Sequence, residues 1–104
     1  MSCCNNNINI RTTGVIFNDT ANALTFTVSA GSFSSGKPYN IIFSQSIPTE
    51  TTVGSTIVIN DGTTNYQVYT RKGYTLQTKH IVNKRGLRVW YNGTSFVLRN
   101  FIEV

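Results

Sequence analysis

Apolar and polar residues alternate along most of this chain in short runs, each closed by Gly, Asn, Asp or Pro. Runs spaced roughly eight to twelve residues apart are what the strands of a sandwich or barrel leave in a sequence. The alternation predicts strands near Ile8–Phe17, Ala23–Ser29, Tyr39–Ser44, Thr56–Asn60, Asn65–Thr70, Tyr74–Val82, Leu87–Tyr91 and Ser95–Ile102. No stretch keeps a helical apolar period for three turns, so no long helix is expected. The predicted fold is an all-β, single-domain antiparallel β-sandwich or barrel of seven to eight strands over residues 8–104. A flexible arm over residues 1–7 precedes it.

Three turns are legible between the runs. Asn18–Asn22 (NDTAN) joins the first two strands, Asp61–Thr64 (DGTT) joins TIVIN to NYQVYT, and Asn92-Gly93 joins LRVWY to TSFVL. Asn-Gly is the usual signature of a two-residue type I′ hairpin. Such a loop pairs Val89 with Phe96 and Leu87 with Leu98, and puts Leu87, Val89, Tyr91, Thr94, Phe96 and Leu98 on a core face. The opposite face carries Arg88, Trp90, Ser95, Val97 and Arg99. It is too apolar for ordinary solvent surface. It either packs beneath another sheet or meets a partner, for which Trp and Arg are the favoured contact residues. The long polar loop Ser44–Ser55 is expected to run over the surface.

Composition agrees with β structure. Charged residues make up only 12% and hydrophobic residues 39%, with Thr, Asn and Ser supplying much of the rest. The formal net charge is +5, and its distribution is uneven. Arg71, Lys72, Lys79, Lys84, Arg85, Arg88 and Arg99 fall in a segment with no acid; the acids are Asp19, Glu50, Asp61 and Glu103. Such a segment is either a solvated basic face or a surface for nucleic acid, an acidic membrane or an acidic protein. No run approaches a membrane span and no signal-peptide pattern opens the chain, so folding in a reducing cytoplasm is expected. Cys3 and Cys4 are adjacent, which disfavours a mutual disulfide, and with the single His80 they lack zinc-ligand spacing. They belong to the arm, either as reduced tail residues or as a contact with a neighbouring subunit.

Gly31–Asn40 (GSFSSGKPYN) fits most of a phosphate-binding loop, and Asp61 sits where such proteins hold magnesium. Pro38 stands where the magnesium hydroxyl belongs and removes an amide, and the strand pattern YNIIF follows in place of a helix. Nucleotide hydrolysis is therefore not expected, and no cofactor or metal site is assigned. Four scattered acids and one His offer no acid–base pair, and no catalytic residues are assigned. Tyr66, Tyr69, Tyr74, Trp90 and Tyr91 near cations suit a stacking platform for single-stranded nucleic acid. Trp90 also suits a sugar ring, although no concentration of acids or amides for sugar hydroxyls is visible in the linear sequence.

Four stretches carry a resemblance: MSCC at the start, TTGVIFNDTANALTFTV, SIPTETTVGSTIVINDGTTNYQVY, and RVWYNGTSFVLRNF near the end. In pattern and turn order the chain resembles small all-β virion proteins of tailed bacteriophages of gut bacteria. It departs from Cys-richer relatives in having only Cys3 and Cys4. The resemblance implies a non-enzymatic auxiliary or decoration protein of the capsid, present in many copies in the virion and assembled in the bacterial host cytoplasm. Its implied partners are the major capsid protein, further copies of itself, or both, with no membrane and no small-molecule substrate. A tail or head-fibre component, or a small nucleic-acid-binding barrel, is the alternative. The expected contact residues are Arg88, Trp90 and Arg99, with Arg71 and Lys72 as an electrostatic fringe.

Overall fold

The computed structural model describes residues 8–29 and 33–103; the expected arm with Cys3 and Cys4, and Gly31, lie outside them. The described residues form seven strands: β1 (Ile8–Asn18), β2 (Ala23–Val28), β3 (Pro38–Ile42), β4 (Thr56–Asn60), β5 (Asn65–Tyr69), β6 (Lys84–Tyr91) and β7 (Phe96–Glu103). They close into one barrel in the order β1-β2-β4-β5-β7-β6-β3. The all-β barrel expectation holds.

The sheet is mixed and not antiparallel throughout. β1 with β2, β3 with β6, β4 with β5, and β6 with β7 run antiparallel. β1 with β3, β2 with β4, and β5 with β7 run parallel. Consecutive strands alternate in direction, so the parallel pairs arise where closure of the barrel sets next-but-one strands side by side, and the connections 43–55 and 70–83 lead to a strand running the opposite way. Sequence alternation reports which face a residue takes and not which strand lies beside it.

The strand expected over Tyr74–Val82 is not a barrel strand. Leu76 inserts between β4 and β5, its N–H donating to the Val68 carbonyl (2.8 Å) and its carbonyl accepting from the Ile57 N–H (2.9 Å). Gln77 then donates its N–H to His80 Nδ1 (3.1 Å), and Thr78–His80 form one short 3₁₀ turn. The apolar residues that resembled a strand, Leu76 and Ile81, are both buried as core plugs.

Alternation places Leu24, Phe26, Tyr39, Ile41, Ile57, Ile59, Leu87, Val89, Phe96 and Leu98 inside. Two bulges preserve that pattern where simple alternation fails. In β1 the register steps between Thr12 and Gly14, so that Ile10 and Thr12 before the step, and Val15 and Phe17 after it, all take inward positions. In β7, Leu98 faces Val89 while Asn100 faces Arg88, which leaves Arg99 as the extra residue. One inserted residue lets both halves of a strand keep their apolar side toward the core.

The Asn92–Gly93 hairpin forms, but its loop has four residues, Asn92–Ser95, and pairs Tyr91 with Phe96 and Val89 with Leu98. Asn92 does not take the positive φ that a type I′ turn needs, whereas Gly93 does, at 105°. The Asn92 side chain caps the loop, its Oδ1 accepting from the Thr94 N–H (3.0 Å) and the Ser95 N–H (2.9 Å). The shift from the expected register is two residues on one strand, which leaves both faces as expected.

Candidate functional site

The outer wall of β5, β7, β6 and β3 is built from two successive cross-strand rows, which follow from register. Tyr69 lies opposite Val97, Val97 opposite Trp90, and Trp90 opposite Pro38: an apolar row. Roughly 7 Å along the strands, two residues on, Asn9 lies beside Asn40, Asn40 opposite Arg88, and Arg88 opposite Asn100: an amide and guanidinium row. Trp90 remains 36% exposed, so no strand among the described residues covers this face. That favours the partner-facing alternative over packing beneath a sheet.

A groove of about 410 Å³ opens over these rows, and Arg71, Arg88 and Arg99 all line it together with Trp90, Asn40 and Asn100. A second groove on the other side of Trp90 is lined by Arg71, Tyr69 and Val97. Four of the five expected contact residues therefore meet at one place. Arg71 is a full member of the groove and not a fringe; Lys72, beside it in sequence, is exposed but does not line it. The bulge in β7 explains how Arg99 joins Arg88: both it and Asn100 are exposed opposite one residue of β6.

The cations of the groove are all arginine; the four lysines of the chain stand elsewhere. A guanidinium presents a planar fork that matches carboxylate or phosphate oxygens in pairs, which an ammonium does not. No acid lines the groove, and the ion pair found among the described residues is Lys84 Nζ to Glu103 Oε1 (2.9 Å). Asn40 adds an acceptor: its Nδ2 donates to Asn9 Oδ1 (2.9 Å), while its own Oδ1 is buried without a hydrogen-bond partner. A buried amide oxygen left unpaired is costly. The register thus gathers amides beside Trp90 that lie far apart in the sequence, which the linear reading missed.

The wall is held from behind by aromatic packing. Phe33 enters the barrel end with its ring 5.1 Å from Phe96, 5.3 Å from Tyr66, 5.4 Å from Tyr39 and 5.8 Å from Tyr91. The first three meet it edge to face and Tyr91 at a tilt, and aromatic pairs of this kind contribute about 0.5–1.5 kcal/mol each beyond their burial. Tyr91 follows Trp90 on β6 and Tyr39 follows Pro38 on β3, so the plug fixes the strands that present the groove. Tyr91 OH donates to the Gly93 carbonyl (2.7 Å), and Tyr39 OH accepts from the Ser34 N–H (2.7 Å).

The other expected chemistry resolves into structure. Lys37 is exposed on a turn whose Gly36 has φ of 82°, and Pro38 opens β3 in place of a helix. Asp61 caps the β4–β5 turn: Oδ1 accepts from the Thr64 N–H (2.8 Å), the Thr63 N–H (3.0 Å) and Thr63 Oγ1 (3.1 Å), and Oδ2 from Tyr66 OH (3.2 Å). Those backbone donors hold the Asp61 carboxyl below its ordinary range, while burial and the Asp61 charge push the Tyr66 phenol up. With its oxygens so engaged, Asp61 has no free face for a metal, and no group of three His, Cys, Asp or Glu side chains converges among the described residues. Comparison with protein-family models, curated protein sequences and solved structures finds no match.

Proposed function

We propose that this chain is a structural, non-enzymatic protein of a tailed-bacteriophage particle: an auxiliary capsid protein that binds the shell in many copies and stabilises its lattice. The observation that carries the reading is the convergence of Arg71, Arg88 and Arg99 around the exposed Trp90 on a rigid barrel wall, with no acidic residue to neutralise them. Trp and Arg at the centre of a patch are the usual anchors of a protein interface. A closed barrel also presents no unpaired strand edge, which suits dense packing of copies without edge-to-edge aggregation. The pattern resemblance to phage virion proteins supplies the biological setting, the virion assembled in a bacterial cytoplasm.

The same groove favours one competing reading, a small barrel that binds single-stranded nucleic acid through arginines and a stacked base. Mass spectrometry of purified particles, with copy number, tests the first reading. The chain is expected in the particle at a copy number matching a shell lattice. Trp90→Ala combined with Arg88→Ala is expected to deplete it while the purified domain keeps its β-sheet circular dichroism. Absence from particles overturns the proposal; normal incorporation of the folded double variant, or a collapsed fold, overturns this wall as its contact surface.

A further inference from the structure

We infer that the groove receives an extended acidic segment of a different chain, with carboxylates at alternate residues, and that a second copy of this protein does not fill it. The inference rests on the reading of this wall as the partner-facing surface and names the chemistry of that partner.

Charge is the first argument. Three guanidinium groups line the groove with no acid among its lining residues, so an occupant has to bring the negative charge. A second copy is poorly equipped to do so. The chain carries +5 overall and has four acids. Asp61 is engaged in its turn and Glu103 is paired with Lys84, which leaves Asp19 and Glu50, both exposed. Asp19 lies in the β1–β2 turn, at the end of the barrel opposite the turns that flank Trp90. Two such carboxylates on a like-charged body do not match three arginines.

Geometry is the second argument. From β3 across β6 to β7 the groove spans roughly 10 Å, two strand spacings, which about three residues of extended chain cover. In an extended segment, alternate side chains fall on one side about 7 Å apart. Carboxylates so placed reach the arginines, and an intervening small or apolar side chain lies against Trp90 and Val97. Single-stranded nucleic acid fits less well. Successive bases need successive open rings, and the apolar row offers Trp90, 36% exposed, with Tyr69 half-buried.

Trp90 is the only tryptophan, so its fluorescence reports the site directly. The probe is an acetylated and amidated peptide of alternating Glu and Thr, titrated into the full chain. It is expected to shift Trp90 emission with an affinity that falls as salt rises. The same peptide with Gln for Glu is expected to bind at least about tenfold more weakly, as loss of charge-assisted hydrogen bonds implies. Arg88→Lys keeps the charge but removes the fork, and is expected to weaken binding several-fold.

Equal binding of the Gln peptide overturns the inference. So does tighter binding of an oligothymidylate or of an oligogalacturonate, or a concentration-dependent emission shift accompanied by dimer in sedimentation. The particle measurement reads separately. A chain absent from particles that still binds the Glu peptide sinks the virion reading and leaves the groove's chemistry standing. A parent chain that is found in particles but is indifferent to the Glu peptide does the reverse: it sinks the groove's chemistry and leaves the virion reading standing.

Discussion

The barrel has two walls of unlike electrical character, one with uncharged rows and one basic. On the outer side of β1, β2, β4 and β5, register sets Ile16 beside Thr25, Val58 and Gln67, with Gly14, Thr27, Asn60 and Asn65 in the next row and Asn18, Ala23 and Thr56 in the one below. None of these residues is charged. The wall of β5, β7, β6 and β3 carries three arginines and the tryptophan. Both walls obey the same alternation and cover the same core, so folding does not require the difference. Clustered like charges repel one another and slightly oppose folding. Three arginines gathered around one tryptophan, with none among these rows of the other wall, are what the partner-facing reading of the first wall expects.

The largest contrast between the walls is steric. Gly86 on β6 passes so close to β3 that an added Cβ meets the Ile41 carbonyl oxygen at 2.2 Å, and that oxygen is backbone. At Gly14 on the neutral wall the nearest atom to such a Cβ is Thr27 Oγ1 at 3.8 Å, an ordinary contact. Gly86→Ala is expected to cost about 3 kcal/mol through forced separation of β3 and β6. In a domain of this size that lowers the thermal midpoint on the order of 10 °C. Gly14→Ala is expected to be neutral or to stabilise by up to about 1 kcal/mol, because it restricts the unfolded chain. Calorimetry of the two variants checks this; equal effects would mean that the arginine wall is no more tightly built than its counterpart.

Charge gives the next contrast, in binding and not in stability. Arg88→Ala with Arg99→Ala is expected to leave the unfolding free energy, measured by urea titration, within about 0.5 kcal/mol per site of the parent, since both side chains are exposed and form no ion pair among the described residues. Binding of the Glu-Thr peptide is expected to fall at least about a hundredfold, two charge-assisted contacts at roughly tenfold each. Thr25→Arg with Thr27→Arg places the same charge on the neutral wall and is expected to restore nothing, because no tryptophan or unpaired amide stands there. Recovery of binding by that transplant in the Arg88/Arg99 background would reduce the site to net charge alone.

Much of this was legible in the sequence and some was not, for physical reasons. Alternation identifies Arg88, Trp90 and Val97 as outward even though the hairpin register is off by two, because a two-residue shift preserves the face. The bulge at Arg99 is not legible: an extra residue leaves no mark in a run such as FVLRNF. Parallel pairings are invisible for the same reason, since strand neighbours are chosen by closure of the barrel and not by local pattern. The Asn9–Asn40–Arg88–Asn100 row depends on that closure, β1 beside β3, so its amides look scattered until the chain is folded. Leu76 and Ile81 mislead in the other direction, because a buried plug and a strand share the same apolar spacing.

The smallest contrast separates two turns that the sequence does disclose, DGTT and NGTS. Asp61 and Asn92 occupy the same place in them: each accepts from the two N–H groups that follow its glycine, at 2.8–3.0 Å in both turns. One is a carboxylate and the other an amide, so only the β4–β5 turn titrates. Backbone donors hold the Asp61 carboxyl below its ordinary value of 3.8. A depressed carboxylate lends its stability in full above the unfolded value and loses it as pH falls through the folded one. The parent is therefore expected to lose urea resistance as pH drops below about 3.8. Asp61→Asn keeps the Oδ1 acceptor and is expected to flatten that decline while giving up a little stability at neutral pH. Asn92→Asp is expected to add a second acid-sensitive step and to raise neutral stability slightly, since a carboxylate accepts those N–H groups more strongly. If the decline is unchanged in Asp61→Asn, the carboxylate is not what distinguishes the turns.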